Sequence, residues 1–271
     1  MYIIVAGLCV GALFSIAHLP LSGKINDSRD SLWTEGFLGA IRIGCVLGAN
    51  HRRASPVVGR HFGDYEESSS MSMAFAETND ELRTWITAII RDICEGPGNT
   101  LQNETHERAW EQPLVGFSRG DDPLYEEFKG HVGPYHWTPW EIFTETFPSI
   151  EVEPRELTVI CWVLPQTSQT KADSRKETVY PAERWARSRI YGEAFNTHLR
   201  SDLVEVLEEK GYKAVAPSLS PLWRSKESER FVYASTWSER HAAYASGLGT
   251  FGLCDGLITP KGKAMRVGSV V

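Results

Sequence analysis

The chain is short of the features that would place it quickly. Its five cysteines, Cys9, Cys45, Cys94, Cys161 and Cys254, are scattered with no short spacing between any two. That excludes a zinc site or disulfide framework of the usual spacing, and no C-x-x-C-x-x-C-x-x-x-C-P run for an iron–sulfur cluster is present. A basic excess is also missing. The formal net charge is −7, and because residues 1–70 hold six basic and six acidic residues, the whole acidic excess falls in 71–271. This balance disfavours a nucleic-acid partner, whose phosphates call for a cationic face. After the first 21 residues no other apolar run is long enough to span a bilayer, and no positive charge precedes that first run, as a cleavable signal would require.

What is present is the composition of a globular protein, 42% hydrophobic and 23% charged over 271 residues, enough for one sizeable core with appendages or two small domains. Residues 1–70 are read as an irregular N-terminal extension. The apolar run 1–21, broken by His18 and Pro20, marks either a membrane-associated or exported protein or sequence upstream of a true start near Met71, which would make the protein cytoplasmic. Residues 71–150 form a helical, aromatic-rich cover, and 151–271 the core.

Within 71–150, Leu82, Trp85, Ile86, Ile89, Ile90 and Ile93 recur at helical spacing from about Asn79, with Gly96-Pro97-Gly98 as a stop. Residues 111–150 carry Phe117, Tyr125, Phe128, Tyr135, His136, Trp137, Trp140, Phe143 and Phe147. Leu157 to Leu164 is a continuous apolar run between prolines and predicts a buried strand. Gln166 to Thr178 reads as a polar loop, about Glu183 to Glu209 as a long helix, Lys213 to Pro217 as a short strand, and the terminal Gly268 to Val271 as a strand. The expected class is α+β, with helices layered on a mixed sheet.

The most informative stretch is Thr236 to Gly252, TWSERHAAYASGLGTFG. Thr236 and Glu239 have the spacing of a capping box, predicting a helix from Trp237. Gly247 predicts its end, since glycine adopts the left-handed conformation favoured there, and Gly249 and Gly252 keep the exit bare. Two readings follow: a backbone surface open to a flat ligand, or a tight turn packed on a sheet. The dinucleotide fingerprint is excluded, because these glycines close a helix rather than open one.

The run SERHAAYASGLGTFGLCDGLITPKGKAMRVGSVV, with GDDPLYEEFKGHVGPYHWTPWEIF upstream and the pairs Tyr191-Gly192, Phe195-Asn196 and Leu199-Arg200, resembles the reductive dehalogenase and epoxyqueuosine reductase superfamily over roughly residues 80–271. The resemblance implies a nitroreductase-like core that binds cobalamin, a corrinoid held without a histidine below cobalt. It fits that the Asp-x-His-x-x-Gly pattern of other cobalamin proteins is missing here. Cofactor contacts are implied for Ser238, Arg240, His241, Gly247, Leu248, Gly249, Phe251, Gly252, Ile258 and Thr259, and the aromatic 111–150 stretch would wall the substrate pocket. Implied partners are a small organic, halogenated substrate and an iron–sulfur electron donor, since the family's 4Fe-4S ligands are absent and the chain is expected to be a fragment.

Where epoxyqueuosine reductases place an aspartate acid in a V-D-S-A-P type stretch, this chain has Val232-Tyr233-Ala234-Ser235. Reductive dehalogenases use a tyrosine donor helped by a cation, which makes Tyr233 the expected acid with Lys263 or Arg266 beside it, and Tyr191 the second choice. A phenol, with an ordinary pKa of about 10, needs such a cation to give and recover its proton. The alternatives are an epoxyqueuosine reductase-like enzyme acting on tRNA, a corrinoid-binding module without turnover, and a flavin-binding nitroreductase relative.

Overall fold

A computed structural model describes residues 79–227 and 233–271; the expectations for residues 1–70 lie outside them. In chain order the elements are α1 (Asn79–Glu95), β1 (Leu114–Arg119), α2 (Leu124–Val132), α3 (Pro139–Thr146), β2 (Thr158–Pro165), α4 (Ser168–Lys176), α5 (Glu183–Glu209), β3 (Ser225–Lys226), β4 (Ala234–Ser235), α6 (Glu239–Ala245), β5 (Thr250–Phe251), β6 (Leu257–Ile258) and β7 (Met265–Val270). Among the described residues no helix is long and apolar enough to cross a membrane.

The centre is a three-stranded sheet in the order β1-β2-β7, with β2 in the middle. The apolar run that predicts β2 is continuous because both faces of the strand are covered. Val159, Cys161 and Val163 face a core shared with Tyr125, Phe128, Trp237, Ala242, Ala243 and Leu248, whereas Ile160, Trp162 and Leu164 face one shared with Ile86, Ile90, Phe195, Leu199 and Leu203. Helices α2, α3 and α6 therefore lie on one side of the sheet and α1 and α5 on the other. This is an α+β protein.

The sheet is antiparallel rather than mixed: β1 pairs β2 with Gly116 opposite Cys161, and β2 pairs β7 with Cys161 opposite Ser269. The connections dictate this. The chain leaves β1 and returns at the same end, where the Gly120 amide donates to the Leu157 carbonyl (2.8 Å), and leaves β2 and returns beside it, where the Gln166 amide donates to Ala264 (2.9 Å). Strand β1 itself comes from the stretch read as an aromatic cover.

Two further expectations need revision, and one feature was not expected. The polar segment after β2 contains a helix, α4, whose N-cap Thr167 accepts from the Thr170 amide (3.3 Å). With an almost wholly hydrophilic sequence it offers no apolar period to read. Residues 213–217 are not a regular strand, although Val215 exchanges two backbone hydrogen bonds with Val271 (2.8 and 2.9 Å). Helix α3 carries an unforeseen capping box, Thr138 with Glu141, and Pro139 in its first turn.

Two glycines bring helix and sheet together. A Cβ on Gly192 of α5 would lie 2.6 Å from the Trp110 ring, and one on Gly268 of β7 would lie 2.4 Å from the Trp162 ring. Both indoles also donate to α5, Trp110 to the Gly192 carbonyl (3.1 Å) and Trp162 to Asn196 Oδ1 (2.9 Å). The pairs Gly192, Phe195-Asn196 and Leu199-Arg200 are thus the buried seam of α5.

Candidate functional site at the glycine turn after α6

Helix α6 is seated on the sheet through β1. A Cβ on Gly116 would meet the Ser246 carbonyl oxygen at 2.5 Å and Leu248 Cγ at 2.9 Å, so a bare position in the strand admits the last turn of the helix. That turn ends as the sequence predicts. Gly247 has φ +71°, its amide donates to the Tyr244 carbonyl (3.0 Å), and the Leu248 amide donates to Ala243 (2.9 Å). This pair of bonds is the Schellman arrangement, with buried Leu248 and Ala243 supplying its apolar contact.

The start of α6 differs from expectation. It begins at Glu239, with Ser238 as N-cap and no side-chain cap. Thr236 instead bonds the neighbouring chain, its Oγ1 accepting from the Arg224 amide (3.1 Å). Ser238 Oγ lies 2.8 Å from His241 Nδ1. Glu239 turns inward, where it accepts from Arg200 Nε (3.1 Å), from Ser218 Oγ (2.6 Å) and from Ser269 Oγ. A better-placed cation in the core outcompetes the backbone amides for this carboxylate.

Glu239 belongs to a buried polar network. Arg200 also reaches Glu193 (3.4 Å) and the Val267 carbonyl (3.0 Å), and Glu193 pairs with Arg266 Nε (2.9 Å). Asn196 Nδ2 donates to the same Val267 carbonyl (3.0 Å), and Trp237 Nε1 donates to Ser269 Oγ (3.0 Å). Burial pushes the Glu239 carboxyl up, against the opposing pull of Arg200 and the two serines. The sequence contained a signal for this network: Glu193, Asn196 and Arg200 are polar residues spaced along the stripe of Phe195, Leu199 and Leu203 that meets the core.

Beyond Gly247 the chain makes a hairpin, with Thr250 opposite Ile258 and Phe251 opposite Leu257. Ile258 occupies the space beside both following glycines: a Cβ on Gly249 would be 2.5 Å from its carbonyl oxygen, and one on Gly252 would be 2.8 Å from its Cδ1. Gly249 and Gly252 thus serve the close approach of their own hairpin, whereas no atom lies within 4 Å of a Cβ placed on Gly247. Tyr244 in α6, and Leu253 and Ile258 in the hairpin, are exposed.

The other expected residues are placed as follows. Arg240 Nη1 donates to the Asp255 carbonyl (2.5 Å), holding the tip of the hairpin. Thr259 is buried, donating to Gly262 (2.8 Å) and accepting from the Lys261 amide (3.1 Å). Phe251 and His241 pack ring against ring, centroids 4.8 Å apart. His241 also meets Phe128 at 4.7 Å and His136 at 5.7 Å, and burial, with the nearby cations, lowers its pKa to about 3. His136, buried beside Trp237, donates from Nδ1 to the Ser235 carbonyl (3.1 Å) and is likewise held below its ordinary value by burial.

The expected acid is exposed, and each of its expected helpers has a partner of its own. Tyr233 is 63% exposed just ahead of β4. Lys263 Nζ donates to Cys254 Sγ (2.5 Å) and lowers that thiol's pKa, while Arg266 is engaged by Glu193. Tyr191 sits on α5, the helix covering the opposite face of the sheet. A cleft of about 290 Å³ between α4 and α5, lined among others by Asp173, Arg184 and Arg187, shares no residue with the glycine turn. No family model, no curated protein and no solved structure matches this chain.

Proposed function

We propose that residues 79–271 are the corrinoid-binding part of a reductase of reductive dehalogenase type. It would remove halide from a small organic substrate with electrons from iron–sulfur clusters carried elsewhere, on a nitroreductase-like core. The observation that carries this reading is the surface after α6: an open backbone turn at Gly247, with exposed Tyr244 in the helix before it and exposed Leu253 and Ile258 in the hairpin after it. A flat macrocycle needs bare main chain and apolar side chains on a base that does not yield, and here the base is tied down by the Schellman turn and by Glu239. The fit is confined to that face, because Ile258 fills the space beside Gly249 and Gly252.

The bound corrinoid would supply a strong reductant. In this reading Tyr244, Leu253 and Ile258 exclude water from one face of the ring, and Tyr233 gives a proton to the substrate. A second reading, corrinoid binding without turnover, is favoured by one observation: both cations expected to assist Tyr233 are engaged, Lys263 by Cys254 and Arg266 by Glu193.

The test is to incubate the purified protein with cobalamin, pass it through a desalting column and record its absorbance. Retention of the corrinoid with its lower base displaced, weakened by Ile258→Asp, is expected; a chain that retains no corrinoid, or retains flavin instead, overturns the proposal. With a chemical reductant and a halogenated substrate, Tyr233→Phe should leave binding intact and slow turnover by at least about tenfold, the lower scale of acid catalysis. Binding with no turnover in the parent protein selects the second reading.

A further inference from the structure

The contact between His136 and His241 is not used by the function proposed above, although the resemblance implies a cofactor contact for His241, and it joins α6 to the segment between α2 and α3. His241 stands on α6, two residues after Glu239. His136 stands in the segment between α2 and α3. Their rings are 5.7 Å apart at the centroids, inside a box made by Phe128 of α2, Trp237 and Phe251 of β5. Each ring has one nitrogen engaged with an uncharged oxygen, His136 with the Ser235 carbonyl and His241 with Ser238 Oγ.

The charged groups around the pair are unfavourable to a proton. From α2 come Lys129 and His131, from α6 Arg240, and from α3 a single carboxylate, Glu141. Glu141 already accepts from Lys129 Nζ (2.5 Å) and from the Thr138 amide (2.8 Å). The other carboxylate on α6, Glu239, points away into the Arg200 network. A protonated imidazole here would face a second histidine and cations with no free anion, in surroundings that are mostly aromatic.

We propose that His136 and His241 are an acid-sensitive latch that holds α6 and the following glycine turn against α2 and the 133–138 segment, and that opens when the pair takes up protons. Opening moves the imidazoles into water, where they charge freely, and separates His241 and Tyr244 of α6 from Phe128 of α2. The central sheet keeps its backbone hydrogen bonds, because β2 is paired with both β1 and β7, while part of the face that α6 covers is uncovered. The latch belongs to the protein itself and needs no cofactor, so its failure is distinguishable from failure of the corrinoid reading.

Hydrogen exchange read by mass spectrometry at pH 7 and pH 5, corrected for the intrinsic exchange rate, tests it. With the closed-state pKa of His241 at about 3 and an open-state value of about 6.5, acidification to pH 5 should raise the opening constant on the order of tenfold. Peptides covering 124–138 and 239–252 should lose protection by that factor while 158–165 keeps theirs, and His241→Phe, which fills the same box and leaves His136 as the only titrating member of the pair, should shrink the change several-fold. The latch is overturned if all peptides lose protection together, or if the variant responds as the parent does. Should the variant not fold, imidazole NMR titration of the parent protein decides: His136 and His241 titrating near about 6.5 with the fold unchanged overturn the proposal, and these two rings staying neutral until 239–252 opens support it.

Discussion

Glycines that look alike in the sequence do different work. Gly247 is needed for its left-handed backbone and meets no neighbour, whereas Gly268 is needed because Trp162 occupies the place of its side chain. Gly247→Ala should therefore cost about 1 kcal/mol, the penalty of a Cβ in that conformation. Gly268→Ala, which must displace a buried indole in a packed interior, should cost more than the 1–3 kcal/mol typical of overpacking, ~3 kcal/mol or above. Denaturant unfolding of both variants checks the order; equal costs would mean that the Trp162 contact does not constrain β7. The requirement for glycine was legible after α6. The cause at Gly249 and Gly252 was not, because it is the position of Ile258 several residues further on.

At the scale of elements, the junction of α5, α6 and β7 rests on Arg200. It reaches Glu239, Glu193 and the Val267 carbonyl together. Arg200→Met keeps the stem and removes the charge, leaving Glu239 buried with only serine hydroxyls. The expected loss is about 3–5 kcal/mol, the scale for breaking a buried pair from one side. The double variant Arg200→Met with Glu239→Leu should recover a large part of it, since replacing both partners leaves no uncompensated charge. A double variant no more stable than the single one argues against coupling between the two groups. The Thr236–Glu239 spacing was misread as a capping box for the same reason: the partner that claims Glu239 is 39 residues away on another helix. Elements with a strong period or a continuous apolar run, α1, α5 and β2, were legible. Strand β1 was hidden by its shortness and by Gly116 and Ser118, and α4 by its lack of any apolar face.

For the molecule as a whole, buried His136 and half-buried His241 contribute to the dependence of stability on pH. His136 and His241 are both held below the ordinary value, by burial first. A base whose folded-state pKa is depressed stabilises the fold above its unfolded value of about 6.5, and that contribution is lost as the pH falls below it towards the folded value, about 3 for His241. Glu239 acts in the opposite sense. Its raised pKa contributes most below the ordinary carboxylate value and less as the pH rises through the folded one. Unfolding free energy should accordingly decline between pH 7 and about pH 4, and the decline should be shallower in His241→Phe. A profile that is flat, or unchanged in the variant, would show that His241 is not enclosed as described.

The sequence by itself determined what depends on neighbours along the chain: the continuous run of β2, the period of α1 and α5, and the left-handed stop at Gly247. Each follows from local sterics or from a pattern a few residues long. Only the tertiary structure decided where Glu239 points, why Gly249 and Gly252 must be bare, that the strands run antiparallel, and that His136 meets His241. Those outcomes depend on which distant group arrives first at a buried charge, a bare backbone face or an aromatic box, and no local pattern carries that information.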